Sequence, residues 1–599
     1  MSLKESNYAI LRERFSHLRS FEKVIENTPT FSEPIERDEE WLDAIENLVD
    51  DEKVIFVYGF ERGLGIADLL EQYPDRWFIV HEPNTELFQR GLNDYDITLV
   101  LQHPNLHWLS VGEDQLPLLF NILSSYMQDR LVFIAARKYL LDEIDHLRKI
   151  KDDFEEYRIS HLTNKFTEDR FSREWTQNYL NHLVDAVTVP NIEQLAGRLK
   201  NIKTAVVVSS GPSLEDDISV LKQLCGHALI ISAGSSIQAL QKHGIDPHIS
   251  VIMDGHAVNE RIFSNPGTLN SPLFFTSSSY YQISDQKNKG KIYGMLRNDL
   301  VSQYMLERKD SDCVIIPTET VAGTAIQVAV VFGVQQILFV GQDLSFPDKQ
   351  YYSSGIEHLS VEARSKQLET ALITVPNVQG GFNQTDRSFL IMKKAIEDLV
   401  RQYSGVEFIN TSGRGAVIEG ARYVPLETML PVLQKQPIVE KGIVEKLIEE
   451  YESSFPVIND RLLTLYSKIR GVYNEIAELP EQIKKLNSQI SDMERYSRSK
   501  PAKAVKSFEK IGYMWGDIAN KSWFSPLFET LLPIQISNFD RVLPLISNEE
   551  RLIEKSALVY KHLGELVGKI KEQVPLLLER LDEASERISH KIESSDRMK

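Results

Sequence analysis

Seven short runs rich in β-branched and aromatic residues lie between about residues 200 and 425, and most of them end in small or polar side chains. The runs are residues 204–210, 227–234, 248–254, 272–278, 313–317, 336–343 and 406–412. Because helix-period stretches separate them, the pattern is typical of a parallel sheet covered by helices. In a doubly wound sheet, ligands bind outside the carboxyl ends of the strands. The sequence therefore predicts a doubly wound α/β domain with a ligand site at one sheet edge.

The regions on either side have different patterns. Residues 1–150 carry four strand candidates and predict a Rossmann-like α/β domain. These candidates are residues 54–59, 76–83, 97–102 and 130–136. Residues 151–200 are charge-rich and helical in pattern, and we interpret them as a connector within a central domain over residues 151–430. Residues 431–599 repeat apolar side chains at spacings of three and four, which predicts an all-helical domain suited to interaction or self-association.

Composition excludes several classes of protein. With 42% hydrophobic and 26% charged residues the chain is neither disordered nor fibrous. The net charge of -19 disfavours a nucleic-acid partner, because phosphate neutralisation needs a basic face. The only cysteines, Cys225 and Cys313, exclude a disulfide scaffold. The absence of a twenty-residue apolar run or a secretion signal predicts a cytoplasmic protein without a membrane partner.

A glycine-rich turn follows the first strand candidate. Gly59, Gly63 and Gly65 come directly after it, and Glu82 follows the next strand candidate. One interpretation is a nucleotide-binding turn whose acidic partner accepts from ribose hydroxyls. The other is a tight strand-to-helix turn that needs glycine for its backbone alone.

A second turn, Ser210-Gly211-Pro212-Ser213, lies between a strand and a helix of the central domain. Gly211 frees the backbone, Pro212 stiffens it, and Ser213 is placed to cap the helix. Its amides suit a phosphate or a ribose. Because residues 215–217 are all acidic, we expect a nucleotide beside the helix rather than on its axis.

Further strand ends and one helix start carry similar residues, which we expect to join the same site. They are Ser232, Gly234, Ser235, Asp254, His256, Thr320, Gly323, Thr324, Gly341 and Asp343. Each group alone could be an ordinary turn, but together at one sheet edge they indicate a nucleotide site. The sequence lacks a G-x-x-x-x-G-K-[ST] loop, an H-E-x-x-H pair and a D-x-D pair, so we expect no metal ion and no cofactor.

Four segments carry a family resemblance. VVVSSGPSLEDD, ISAGSSIQALQKHGIDPHISVIMDG, TVAGTAIQVAVVFGVQQILFVGQDLSF and INTSGRGAVIEGARY together resemble the motility-associated factor (Maf) family. Those proteins are bacterial glycosyltransferases that modify flagellin, and the resemblance covers roughly residues 165–425. It implies a variable N-terminal α/β region, this core and a helical tail. The core is also similar to bacterial sialyltransferases, which use CMP-activated sugars without a metal.

The resemblance implies roles for individual residues. The G-P-S-L loop at 211–214, Ala322-Gly323-Thr324 with Thr320, and Gly341 with Asp343 would hold CMP. Of two tyrosines that bind the leaving phosphate in the sialyltransferases, Tyr351 matches the second and Ser345 stands at the first. Tyr351 or Tyr352 would therefore act on the phosphate. The general-base histidine has no counterpart in residues 380–386, which leaves Asp254, His256 and His358 as candidate bases.

The implied function is O-glycosylation of flagellin Ser or Thr, needed for flagellum assembly and motility. The donor would be a CMP-activated nonulosonic acid of the pseudaminic, legionaminic or Kdo type. We expect the helical tail to recognise flagellin, with self-association as the alternative. Two other functions stay open: a Mg²⁺-dependent pterin diphosphokinase with Asp254 and Asp343 near the metal, and a non-catalytic flagellin-binding assembly factor.

Overall fold

The structure, a computed structural model, describes residues 3–18, 37–49, 53–125, 131–369, 371–454 and 458–597. The chain forms two compact units. The first comprises Met1–Asp169 with Ile534–Asn548, and the second comprises Arg170–Pro533 with Glu549–Lys599. The three-domain division stays a prediction; α-helical residues run without a break across its boundary at residue 150.

The strands of the described residues are β1 Val54–Tyr58, β2 Trp77–Glu82, β3 Leu106–Val111, β4 Leu131–Ala135, β5 Thr204–Val208, β6 Leu229–Ala233, β7 Ile249–Ile252, β8 Leu273–Thr276, β9 Lys291–Gly294, β10 Gln336–Val340, β11 Ile373–Pro376, β12 Phe382–Thr385, β13 Glu407–Asn410 and β14 Arg422–Tyr423.

The α-helices are α1 Leu3–Arg14, α2 Glu39–Glu46, α3 Leu64–Gln72, α4 Thr85–Asp94, α5 Thr98–Gln102, α6 Leu116–Ser125, α7 Arg137–Asp142, α8 Ile144–Thr188, α9 Leu214–Leu224, α10 Ser236–Lys242, α11 Tyr281–Asp285, α12 Leu300–Leu306, α13 Val321–Phe332, α14 Val361–Glu369, α15 Arg387–Gln402, α16 Leu426–Leu433, α17 Ile443–Ser454, α18 Ile458–Ser499, α19 Pro501–Ala519, α20 Pro533–Asn548, α21 Leu552–Leu558 and α22 Gly564–Arg597.

The first unit contains a four-stranded parallel sheet in the order β3-β2-β1-β4. The predicted N-terminal α/β fold is confirmed, but most of the run 97–102 forms helix α5, Thr98–Gln102, so that strand prediction was wrong. The Asp96 carboxylate accepts hydrogen bonds from the Thr98 amide and hydroxyl, which starts a helix instead. The helix buries Val100 and Leu101, and the third strand follows it as β3. A six-residue apolar run cannot distinguish these two outcomes without the tertiary packing.

The second unit contains an eight-stranded parallel sheet in the order β14-β13-β10-β5-β6-β7-β8-β9. From β5 the chain adds strands outward to β9, then returns to β10 and adds strands on the other side. The topology therefore changes direction between β5 and β10, where a doubly wound sheet opens a crevice. The predicted doubly wound fold is confirmed. Strands β9 and β14 were not predicted.

Residues 313–317 do not form a strand, so that prediction was also wrong. Only one isolated bridge, between Leu296 and Ile315, links this segment to a neighbour in strand fashion. The Gln327 side chain instead accepts from the Ile316 amide at 2.7 Å and donates to the Ile316 carbonyl at 2.8 Å. A side-chain amide therefore takes the hydrogen-bonding role of an adjacent strand.

The predicted helical tail is confirmed: all regular elements after residue 430 in the described residues are helices. Its first part belongs to the core of the sheet. Val444, Leu447 and Ile448 of α17 are buried in the same apolar cluster as β5 and β10 side chains. Helices α18 and α22 pack against each other over much of their length. None of the described helices combines the length and the hydropathy of a membrane-spanning segment.

Candidate functional site

A cleft of about 200 Å³ lies at the carboxyl ends of β5, β6, β7 and β10, where the sheet topology changes direction. Most of the residues that the sequence assigned to a site line it together. They are Ser210, Gly211, Gly234, Ser235, Asp254, Thr320, Gly341, Asp343, Tyr351, Tyr352 and His358. Parallel strands bring their carboxyl ends to one edge, which explains why scattered segments meet here.

The other predicted site residues do not line the cleft. Ser213, Ser232 and Thr324 are fully buried beside it. Ser232 lies within hydrogen-bond distance of Ser236, and Thr324 donates toward the Met253 sulfur. These three side chains support the walls of the cleft rather than face its contents.

Pro212, Gly323 and His256 also lie outside the lining. Gly323 is buried in the first turn of α13. Pro212 is buried, and its carbonyl accepts from Arg414. His256 is exposed, and its Nδ1 accepts from the Val258 amide. This placement leaves Asp254 and His358 as the candidate bases that line the cleft.

The turn after β5, residues 209–213, is here called the donor loop. Its Gly211 amide donates to the Gly341 carbonyl at 2.9 Å, so it is tied to the chain after β10. The sequence predicts that the Ser213 side chain caps α9, but in the structure it makes no such capping hydrogen bond. Its amide donates to Asp343 Oδ2 at 2.8 Å, and its hydroxyl donates to Asp343 Oδ1. A long-range carboxylate thus fixes the loop.

Asp343 is only 2% exposed, and both its oxygens accept from Ser213. Desolvation raises its pKa to about 6, while the hydrogen bonds from Ser213 act in the opposite direction. The Asp343 carbonyl also accepts from the Ser345 hydroxyl and the Ala416 amide. Asp343 therefore joins three chain segments at the floor of the site.

Gly211 is required by this close approach. A Cβ built there would lie 2.5 Å from Asp343 Oδ2 and 2.6 Å from the Gly341 carbonyl oxygen. Such distances are far below a normal van der Waals contact, so any side chain would separate the two loops.

Two tyrosines line one side of the cleft. The Tyr351 and Tyr352 rings meet edge to face, with centroids 4.6 Å apart, and Tyr351 also packs near Phe346. Desolvation raises the pKa of Tyr351 to about 12 and raises that of Tyr352 further. Both phenols are therefore protonated at neutral pH and available as hydrogen-bond donors.

The candidate bases differ in their surroundings. Asp254 is exposed to the solvent in the cleft. Desolvation by the surrounding protein atoms nevertheless raises the pKa of its carboxyl. Desolvation, and then the charge of Arg261, lowers the pKa of His358. The buried His358 Nδ1 has no hydrogen-bond partner in the described part of the chain. A raised carboxyl pKa and a neutral imidazole both suit proton transfer near neutral pH.

Sequence reasoning missed Asn259 and two arginines. Asn259 lines the cleft and is 6% exposed. Arg261 acts electrostatically on His358, and Arg364 acts on the phenol of Tyr352. Asn259 and Arg261 lie on a short 3₁₀ helix, and Arg364 lies on α14. No local motif marks Asn259, because only the tertiary packing brings its short helix to the cleft; the two arginines do not line the cleft themselves.

The glycine turn of the first unit is a structural turn. The Glu82 carboxylate accepts from the amides of Phe60, Glu61 and Asn84, each at 2.8 Å, and from the Tyr139 hydroxyl. The protein itself therefore supplies the hydrogen-bond donors that the Glu82 carboxylate needs. A ribose partner at Glu82 is thus disfavoured, which supports the second interpretation of this motif.

Among the described residues, no three His, Cys, Asp or Glu side chains are grouped so that they could hold a metal ion. Both oxygens of Asp343, one carboxylate considered for Mg²⁺, already accept from Ser213.

A search of solved structures matches the chain to the Maf glycosyltransferase of Magnetospirillum magneticum AMB-1. The TM-score is 0.55 at 14% identity, over 99% of this chain and 87% of that one. The chain has the fold of a Maf glycosyltransferase. The predicted resemblance is thereby confirmed at the level of fold.

Residues 177–349 also match the family model of 6-hydroxymethylpterin diphosphokinase MptE-like proteins. No curated protein matches the sequence significantly. The MptE-like match covers β5 to β10 and the donor loop, whereas Tyr351, Tyr352 and His358 lie beyond it.

Proposed function

We propose that the protein is a glycosyltransferase that transfers a nonulosonic acid from its CMP-activated form to Ser or Thr of flagellin. The observation that carries the proposal is the cleft itself. It joins the glycine-bearing donor loop, two protonated tyrosines and two candidate bases at the topological switch of the sheet. The Maf-like fold supports the same reaction class.

In this proposal the bond between the anomeric carbon and the CMP phosphate breaks as the acceptor oxygen bonds to that carbon. The departing phosphate gains negative charge. Protonated Tyr351 and Tyr352 would donate to it. One well-placed donor of this kind changes a rate by about 10²–10³.

The acceptor hydroxyl must lose its proton as it attacks. Asp254 and His358 both line the cleft and are the two candidates for this base. His358 is the candidate to test first, because it lines the cleft and its lowered pKa favours the neutral imidazole that can accept a proton. We propose that no metal or cofactor takes part in the transfer.

The acceptor side of the proposal rests on the resemblance. Flagellin would meet the enzyme in the cytoplasm before export, and the helical tail would hold an amphipathic segment of it. Self-association through the tail is the competing role.

A second function is favoured by the MptE-like match, which points to a diphosphokinase. We expect such an enzyme to need Mg²⁺. Calorimetry with CMP, CTP and ATP, with and without Mg²⁺, separates the two. Metal-independent CMP binding is expected. Mg²⁺-dependent ATP binding would favour the diphosphokinase, and the absence of nucleotide binding would favour a non-catalytic assembly factor.

The decisive test is the intact mass of flagellin co-expressed with this chain and a nonulosonate pathway. We expect a mass increase of one or more nonulosonate units, which the variant His358→Ala should abolish or strongly reduce. Unmodified flagellin with the wild-type enzyme and a confirmed donor pool would contradict the proposed function.

A further inference from the structure

Arg414, in the turn between β13 and β14, makes three polar contacts beside the cleft. Its Nε lies 2.7 Å from Asp216 Oδ2, its Nη1 lies 2.9 Å from Asp348 Oδ2, and its Nη2 donates to the Pro212 carbonyl at 2.8 Å. The side chain is 26% exposed. The guanidinium is planar and always charged, so it can hold several acceptors in one fixed arrangement.

The three acceptors belong to two different parts of the site. Pro212 lies in the donor loop, and Asp216 lies in the first turn of the helix that follows it. Asp348 lies in residues 344–352, here called the tyrosine segment, which carries Tyr351 and Tyr352 into the cleft. A side chain from a third segment of the chain thus connects the nucleotide side of the cleft to its tyrosine side.

The tyrosine segment has an unfavourable backbone. Leu344, Asp348 and Lys349 have φ values of 50°, 53° and 56°, in the left-handed region that residues with a Cβ rarely adopt. Asp348 and Lys349 are both exposed, so packing contributes little to holding them. The ion pair with Arg414 restrains the Asp348 side chain, in addition to the backbone hydrogen bonds from Lys349 to Phe346 and from Gln350 to Pro347.

Arg414 also changes the charge next to the nucleotide. Glu215, Asp216 and Asp217 occupy the first turn of α9, where they oppose the approach of a phosphate. The 2.7 Å contact places a positive charge directly on Asp216. The contact that orients the donor loop thus also reduces the repulsion that a phosphate would meet at the start of α9.

We propose that Arg414 is a positioning residue that locks the donor loop and the tyrosine segment together, so that the nucleotide and the phenols are held in register. The role of the lock in transfer rests on the proposed function, but the lock itself is a property of the chain without ligand. This difference allows the two to be tested separately.

The first experiment is limited trypsin digestion of the full chain, with cleavage after Lys349 followed by mass spectrometry. Arg414→Gln and Asp348→Asn should each accelerate this cleavage about tenfold, because opening of the segment frees the backbone around the exposed Lys349 to adopt the extended form that a protease binds. The matched control is Arg401→Gln, which removes an exposed ion pair with Asp398 on α15 and should leave the rate unchanged. Cleavage after Lys222 in α9 reports general unfolding and should stay at the wild-type rate. Unchanged cleavage after Lys349 in both test variants overturns the proposal.

The second experiment measures CMP affinity by calorimetry. Arg414→Gln and Arg414→Lys should both weaken binding about tenfold, because a lysine keeps the charge but cannot contact three acceptors in one plane. Wild-type affinity in Arg414→Lys with weak binding in Arg414→Gln would show a role of charge alone and overturn the positioning role. If the wild-type protein fails to bind CMP, the proposed function fails, while the digestion still decides whether Arg414 holds the segment.

Discussion

At the scale of single residues, the site depends on a buried carboxylate whose two oxygens both accept hydrogen bonds from the donor loop. Asp343 is 2% exposed and holds Ser213 through two hydrogen bonds. We therefore treat it as a positioning residue whose loss would release the donor loop.

Asp343→Ala should weaken CMP binding at least about tenfold, because a loop held by charge-assisted hydrogen bonds loses both of them. Asp343→Asn keeps the shape of the side chain and one acceptor, so its affinity for CMP should fall between those of the wild type and Asp343→Ala. Calorimetry gives the affinities, and thermal unfolding shows whether each variant is folded. A folded Asp343→Ala protein with wild-type affinity would contradict this role.

Gly211→Ala should also weaken CMP binding by about tenfold or more. The added Cβ would lie 2.5 Å from Asp343 Oδ2 and push the donor loop away from the chain after β10. Gly405→Ala is the matched control, since a Cβ there meets nothing within 4 Å. Equal affinities for the two variants would show that the close approach does not matter for the ligand.

Asp217 provides a prediction on pH. Desolvation and then the charges of Asp216 and Asp343 raise its pKa to about 7. A carboxyl whose pKa is raised on folding stabilises the protein at pH values below its pKa in the unfolded chain. This contribution is lost as the pH rises through the pKa that the carboxyl has in the folded protein. The loss of stability therefore takes place between about pH 4 and pH 7.

Asp217→Asn should increase the free energy of unfolding at pH 8 by on the order of 2 kcal/mol, and the gain should disappear toward pH 4. Urea unfolding at both pH values measures it. The exposed Glu481→Gln on α18 serves as the control and should show no such pH dependence. A gain that stays constant with pH would refute the raised pKa as its cause.

At the scale of secondary-structure elements, α17 belongs to the folded core of the sheet. Ile448 is 2% exposed and lies in the apolar cluster that contains side chains of β5 and β10. A truncation meant to remove only the tail should consequently end after residue 454 rather than near residue 430.

Ile448→Ala should lower the free energy of unfolding by about 2–4 kcal/mol, as expected for deletion of buried methyl and methylene groups. Glu449→Ala, at the exposed neighbouring position, should change it little. Urea denaturation of the two variants measures the difference. A small effect at Ile448 would mean that α17 is not part of the cooperative core.

At the scale of the whole molecule, the proposed division of labour places chemistry in the sheet and acceptor recognition in the helical tail. The tail exposes large side chains that a partner could cover, including Tyr513 at 78% and Tyr560 at 49%. Exposed aromatic residues of this kind often dominate the binding energy of an interface.

Tyr513→Ala should weaken flagellin capture about tenfold without changing CMP affinity, since truncation of a central aromatic contact has effects of this size. Lys510→Ala, exposed on the same helix, is the control. Pull-down and calorimetry on the same preparations measure both quantities. If neither Tyr513→Ala nor Tyr560→Ala affects capture, the acceptor docks elsewhere or the tail serves self-association.

Local sequence patterns were enough to predict the fold class and to place several polar residues at one edge of the sheet. Local patterns marked β5 and β10 as strands and showed polar residues such as Ser210 and Asp254 at strand ends. Because parallel strands place their carboxyl ends on one edge, these local features were sufficient to predict a common cleft.

The contacts that hold the cleft together arise between distant parts of the chain and could not be read from local patterns. The hydrogen bonds from Ser213 to Asp343 and the contacts of Arg414 join residues between 66 and 202 positions apart in the chain. The helix at α5 and the side-chain pairing of Gln327 with Ile316 likewise replaced strands that local propensity favoured. Local propensities differ by about 1 kcal/mol or less, so packing and long-range hydrogen bonds override them.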